Sequence, residues 1–345
     1  MERNSKIDLL KTIAIFGVIV IHTCSGGYSN PIPSFDWISS VFWGSIVRAS
    51  VPIFFMCSGV LLLTPHKELS LKKLYTKNLL KIVVAMFVWA LAYKGYHLFV
   101  SGTLTLSACY QALKEVLLFK HEFHLYYLHI LILVYVFLPI TRVFVKNASQ
   151  KELKYALAVW FLLGIIYPTV KTFWPFNLLT GIPAQWLMNM TYAAIGYGVL
   201  GYYLSCYPPL RFPKREIAFC AAGFISVFGL TVFMSIKSGG LYQKFLEGMS
   251  VGVALLAAGL LGLCQNIRLK RNGKALKIVT EISKASFCIY LVHVLVIDFF
   301  NFLNISVNLL PSLISIPLLS CLNLVLSYCC YYILSKIPII NRWIV

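Results

Sequence analysis

The sequence predicts an all-α integral membrane protein, a single polytopic bundle of about ten transmembrane helices with both termini cytoplasmic. Three observations predict it. The 345 residues are 59% hydrophobic and only 12% charged, about half the charged fraction of an ordinary soluble domain. Mean hydropathy is +0.81, and apolar stretches of about 20 residues, the length a bilayer core demands of a spanning helix, recur along the chain. The basic residues concentrate in alternate loops. No segment of soluble-domain composition stands at either end, so residues 1–345 are expected to form one membrane domain.

Apolar runs bounded by polar loops place the spans at 8–25, 37–63, 79–100, 124–145, 155–172, 183–205, 217–236, 246–264, 285–303 and 309–335. The chain opens "MERNSKIDLLKTIAIFGVIVIHTCSGG", charges followed by an apolar run, as in a signal peptide. Asp8, Lys11 and His22 interrupt that run and no A-x-A-like cleavage site follows, so it is expected to remain as the first helix. In the second span, Pro52 and Gly59 predict a kink and a close backbone approach. Residues 107–119, "SACYQALKEVLLF", are too short and too polar to cross, and predict an amphipathic helix on the membrane surface. No repeat of hydropathy or motif relates the two halves.

Orientation follows from lysine and arginine. With the N-terminus inside, about 23 of the 30 basic residues fall on the inner side, in "HKELSLKKLYTKNLLK", "RVFVKNASQKELK", "RFPKRE" and "RLKRNGKALK". The outer loops keep few, among them Lys114, Lys120, Lys171, Lys237 and Lys244. The net charge of +19 is dispersed over these loops without a soluble binding module, which argues against a nucleic-acid partner. The cysteines lie mostly inside apolar runs, without metal-ligand spacing, and read as small packing residues.

The first helix carries an acid, a base and an imidazole. At 100° per residue, Lys11 and His22 differ by about 20° around the axis and by about 16 Å along it, so they share one face. Asp8 is about 40° from His22 but about 21 Å away by rise, too far to orient it. Such a stripe is expensive against lipid, so it is expected to face the protein interior or a wet cavity. Interfacial anchoring by Asp8 and Lys11, with His22 a polar helix end, explains the same residues equally well. Arg48, within an apolar span, requires a carboxylate, a carbonyl or an anionic ligand. His121 and His124, with Glu122 between, lack a second pair of ligands, so no metal is expected.

Four stretches, in order, resemble the acyltransferase family 3 membrane proteins. "IDLLKTIAIFGVIVIH" fits the family's first-helix Arg/Lys-x10-His pattern through Lys11 and His22. "SVPIFFMCSGVLLL" is similar to its V-P-x-F-F-x-x-S-G signature. "HLYYLHILILVYVFLPI" resembles H-L-W-F-L … Y-L-x-x-P, with His124 and Pro139 in place and Tyr126 standing for the tryptophan. "ISKASFCIYLVH" resembles S-x-x-x-Y-L-x-H, covering Ser286, Tyr290 and His293. One family feature is altered: "KNLLK" puts Asn78 and Lys81 where many members carry Arg-x-x-Arg, and Lys77 supplies a point charge, not a planar fork. Within the family the chain resembles the small stand-alone O-acetyltransferases, of the type acting on enterobacterial common antigen.

The resemblance implies transfer of an acyl group, usually acetyl, from cytoplasmic acetyl-CoA to a hydroxyl of a surface glycan or its lipid-linked precursor, in a bacterial inner membrane. It implies His22 as general base, a role imidazole suits because it titrates near working pH. Lys11, Arg48 and Tyr290 are expected beside it in the catalytic set. Lys11, Arg48, Lys73, Lys77 and Lys81 are expected to hold donor phosphates or carbonyl oxygens. For most of the loop lysines the positive-inside bias is explanation enough. His124, Glu247 and His293 are expected on the acceptor side. Beyond lipids and the glycan acceptor the partners are open, a homo-oligomer included. Two other classes compete: a secondary transporter or flippase of glycan precursors, and a non-catalytic sensor or uptake module. The absence of repeated halves weighs against the transporter.

Overall fold

The computed structural model describes residues 4–64, 69–208, 213–267 and 273–345, and among these the regular structure is helical throughout, without a strand. His66 and parts of three basic loops read above as inner lie outside the described residues. Among the described residues, nine segments are long and apolar enough to cross a bilayer. A tenth apolar helix of 17 residues, Met190–Cys206, has a rise of about 26 Å, close to the thickness of the hydrocarbon core.

The chain begins with α1 (Ser5–Ser25), whose N-cap Asn4 accepts from the amides of Lys6 and Ile7. The second span is broken into α2 (Phe35–Ile46) and α3 (Ser50–Leu62). Sequence reading placed a kink at Pro52 and Gly59; the break comes earlier, at 47–49. Pro52 has no N–H for the carbonyl four residues before it, that of Arg48, which removes one helical hydrogen bond and weakens the turn where the break falls. Next come α4 (Leu71–Lys73), a π-helical turn at Leu74–Leu79, α5 (Leu80–Val100) and α6 (Leu106–Leu117). α6 is the amphipathic segment: Val116 is buried, most of the helix is exposed, and Lys94 of α5 pairs with Glu115 at 2.9 Å.

A 3₁₀ turn at Phe123–Leu125 leads into α7 (Tyr126–Asn147). A capping box of Ser149 and Glu152 starts α8 (Gln150–Trp160), which continues through a π turn into α9 (Tyr167–Val170). The sixth span was expected from residue 183. Pro183 sits instead in the 3₁₀ turn Ile182–Trp186, and α10 (Met190–Cys206) starts only where Asn189 caps it. The remaining helices are α11 (Lys214–Ser238), α12 (Val251–Asn266), α13 (Lys274–Phe302), α14 (Ser312–Leu334) and the short α15 (Pro338–Trp343).

α1 is central, packed against α2, α3, α12, α13 and α14. The outer helices turn their apolar side chains outward: α11 exposes Ile217, Ile225, Phe233 and Ile236. In water such a surface is a liability; against lipid it is required. Close helix packing uses small residues, as membrane bundles do. A Cβ at Gly59 of α3 would lie 1.9 Å from the Gly198 carbonyl oxygen of α10, so only glycine permits that approach.

Lys6 donates to the carbonyl of Gln265, and Lys81 to that of Val345. The starts of α1 and α5, the end of α12 and the last residues of the chain therefore share one end of the bundle. His22, near the end of α1, is toward the other.

Candidate active site

α1 and α13 run parallel, and this pairing arranges the first-helix stripe. Near the terminal end, Ser283 Oγ donates to Asp8 Oδ1 at 2.7 Å and Lys11 Nζ donates to the Ser283 carbonyl at 3.0 Å. Thr12 adds a bond to the Val279 carbonyl at 3.0 Å. Three turns on, the ring of His22 lies 5.0 Å from that of His293. The stripe faces α13, inside the protein. Lys11 is thereby held on a backbone carbonyl, and it lines neither of the cavities that meet His22.

Three histidines from distant parts of the chain converge. His124, in the 3₁₀ turn before α7, has its ring centre 6.4 Å from His22 and 5.7 Å from His293. His293 Nδ1 donates to the Tyr290 carbonyl at 2.6 Å. A carbonyl can only accept, so a neutral His293 ring carries its proton on Nδ1 and offers Nε2 as an acceptor. That Nε2 is buried without a partner, as are both ring nitrogens of His124. Tyr290 hydroxyl donates to the His124 carbonyl, which fixes the start of α7 against α13. The His22 imidazole makes no hydrogen bond with a described residue; the residue's carbonyl accepts from Ser25 Oγ at 2.6 Å.

His22 faces two cavities. One, of about 340 Å³, is lined by His22, Tyr28, Arg48, His124, Tyr127 and Tyr290 among others. Arg48 reaches it from the break between α2 and α3, with Nε donating to the Leu246 carbonyl. The loop 241–248 forms the far wall, held also by the Tyr197 hydroxyl on the Gly248 carbonyl at 2.7 Å. The second cavity, about 120 Å³, lies beside Thr23, Ser25, Asn301 and Ser306. Tyr28 and Gln243 also face the larger cavity and escaped sequence reading, because they lie in loops without a periodic signal. The Tyr28 hydroxyl is buried without a partner, and burial pushes it above the usual phenol range.

The other candidates lie elsewhere. Glu247 is half exposed and paired with Lys244 at 2.9 Å, outside the cavity wall its neighbours Leu246 and Gly248 form. Lys77 and Lys81 line a separate cavity at the terminal end; Lys73 is exposed and lines none of these cavities. Both ring nitrogens of His121 are engaged, Nε2 with the Val116 carbonyl at 2.9 Å and Nδ1 with His129 Nε2 at 3.3 Å. Among the described residues no group of three or more His, Cys, Asp or Glu side chains is arranged to hold a metal ion.

Fold and site together define a polytopic helical membrane protein with a histidine and an arginine lining one cavity. A family model for an acyltransferase domain matches residues 4–332. The chain belongs to acyltransferase family 3, and it is a multi-pass membrane acyltransferase. No curated protein and no solved structure matches it.

Proposed function

We propose that the chain is an O-acetyltransferase that takes acetyl groups from acetyl-CoA on the cytoplasmic side of a bacterial inner membrane. The acceptor is a hydroxyl of a surface glycan or its lipid-linked precursor, as in the enterobacterial common antigen type. The observation that carries this reading is the His22 imidazole, which makes no hydrogen bond with a described residue and lines a cavity shared with Arg48.

In this mechanism His22 accepts the proton of the acceptor hydroxyl as its oxygen attacks the thioester carbonyl. The new C–O bond forms, the C–S bond breaks, and the imidazolium returns its proton to the departing thiolate. Arg48 lines the same cavity and stabilises charge that develops on the carbonyl oxygen. The His293 ring packs 5.0 Å from that of His22 and limits the orientations the imidazole can take. Lys11 holds α1 in register with α13 and so acts as a positioning residue. Lys77 and Lys81 attract donor phosphates at the terminal end. Family membership supports acyl transfer over the transporter and sensor alternatives.

The test is membranes containing the chain, labelled acetyl-CoA and envelope glycan, with the product read by mass spectrometry. Acetylated glycan that disappears in His22→Ala supports the reading; transfer by His22→Ala at the parental rate dismisses it.

A further inference from the structure

The terminal end of the bundle holds a cavity of about 740 Å³, within the range of small-molecule sites, about 300–1,000 Å³. Lys77, Lys81, Lys284 and Arg342 line it, and no acidic side chain does. Part of that charge is already committed. Lys81 donates to a main-chain oxygen of Val345, the last residue of the sequence, and Lys284 pairs with Glu281 at 2.6 Å in an exposed pair that an anionic ligand can displace. Lys77 and Arg342 make no hydrogen bond or ion pair with a described residue. Both are exposed and solvated, so what they give the cavity is a positive field that draws an anion.

One wall comes from α15. The residues that follow this helix are anchored on α5, by Lys81 and by Trp89 Nε1, which donates to the Ile344 carbonyl at 3.2 Å. The anchoring brings Arg342 and Trp343 to the cavity, with the guanidinium carbon 5.0 Å from the indole centre. Phe287 faces the same space, 5.9 Å from Lys81 Nζ. A guanidinium fork matches phosphate oxygens in pairs, and an adjoining indole face stacks on a base. An anionic lipid headgroup would satisfy the cations but has no base for the aromatic faces.

We propose that Arg342 and Trp343 of α15, with Lys284 of α13, hold the phosphorylated adenosine end of the acyl donor and set its preference for a nucleotide-bearing thioester. The proposal rests on the acetyl-CoA reading above. From there the donor arm follows α7, where Leu131 and Tyr135 line this cavity and Tyr127 lines the one at His22. The spacing of four places the three on one face, about 12 Å from first to last.

The test is direct binding of acetyl-CoA, and of acetyl-pantetheine as a donor without the nucleotide, to the full chain in lipid nanodiscs. Parental chain, R342Q and W343L are compared in discs with and without phosphatidylglycerol, with thermal unfolding as a check on folding. The expected result is acetyl-CoA binding weakened about tenfold in both variants, with acetyl-pantetheine binding unchanged in both lipid compositions. R342K, which keeps the charge without the fork, should recover part of the loss. Equal acetyl-CoA binding by the parent and both variants overturns the proposal. So does weakening confined to phosphatidylglycerol discs, which assigns the cations to lipid. A parental chain that binds no acetyl-CoA overturns the donor reading itself, and this proposal with it.

Discussion

His22 and His293 stand with ring centres 5.0 Å apart, although 271 residues separate them in the chain. The proton of His293 is committed at Nδ1 to the Tyr290 carbonyl, 2.6 Å away, which leaves Nε2 a buried acceptor without a partner among the described residues. A glutamine at 293 can reach the Nε2 position with its amide, and an asparagine matches only the Nδ1 side. His293→Asn should therefore lower kcat by about a hundredfold, the scale of a misplaced catalytic group. His293→Gln should lose less. The pH profile of kcat should change in the asparagine variant while KM for the donor stays constant.

Removal of His22 tests the base directly. His22→Ala should lose about 10²–10⁴ in kcat, the usual share of a general base. Single-turnover transfer in membranes, normalised to inserted protein, measures it. Arg48→Lys should also lose rate, because a lysine keeps the charge but not the planar fork.

Tyr290→Phe should destabilise the bundle by about 1–3 kcal/mol, since it leaves the buried His124 carbonyl without its donor. Thermal unfolding in detergent checks the stability. Reduced turnover should accompany it, because His124 and Tyr290 line the His22 cavity together.

Gly59→Ala should cost about 1–3 kcal/mol through overpacking against the Gly198 backbone. Gly181→Ala is the control, since a Cβ there meets nothing within 4 Å. A melting shift in the first variant and none in the second is the expected result.

Docking of α6 should depend on pH. The hydrogen bonds from Lys94 and Gln111 hold the Glu115 carboxyl below the usual carboxylate range. A lowered folded value means that the contribution is present above the ordinary carboxyl range and is lost as pH falls through the lowered value. Hydrogen exchange of the α6 amides should speed up on acidification, and Glu115→Gln should remove that dependence.

Much of the architecture was legible because each spanning helix needs its own apolar run, so crossings can be counted without tertiary information. Local chemistry explains where that reading slipped. The break at 47–49 was placed late because Pro52 acts on the carbonyl four residues upstream, and the sixth helix starts late because Asn189, not Pro183, caps it. Glu247 was assigned to an acceptor role on residue type alone, whereas the fold pairs it with Lys244 at the surface. Arg342, Trp343 and Lys284 carried no signal, since a cation at a helix end reads as ordinary positive-inside charge.

The sequence by itself determined the helical membrane class and the basic end of the bundle, set by period and by the cost of charge in lipid, and left the Lys11–His22 stripe between an inward face and interfacial anchoring. Only the tertiary structure decided what meets that face. The parallel pairing of α1 with α13 gives Lys11 to the Ser283 carbonyl and His22 to His293, and the turn before α7 adds His124. Contacts of that kind depend on the packing of whole helices, and no local pattern encodes them.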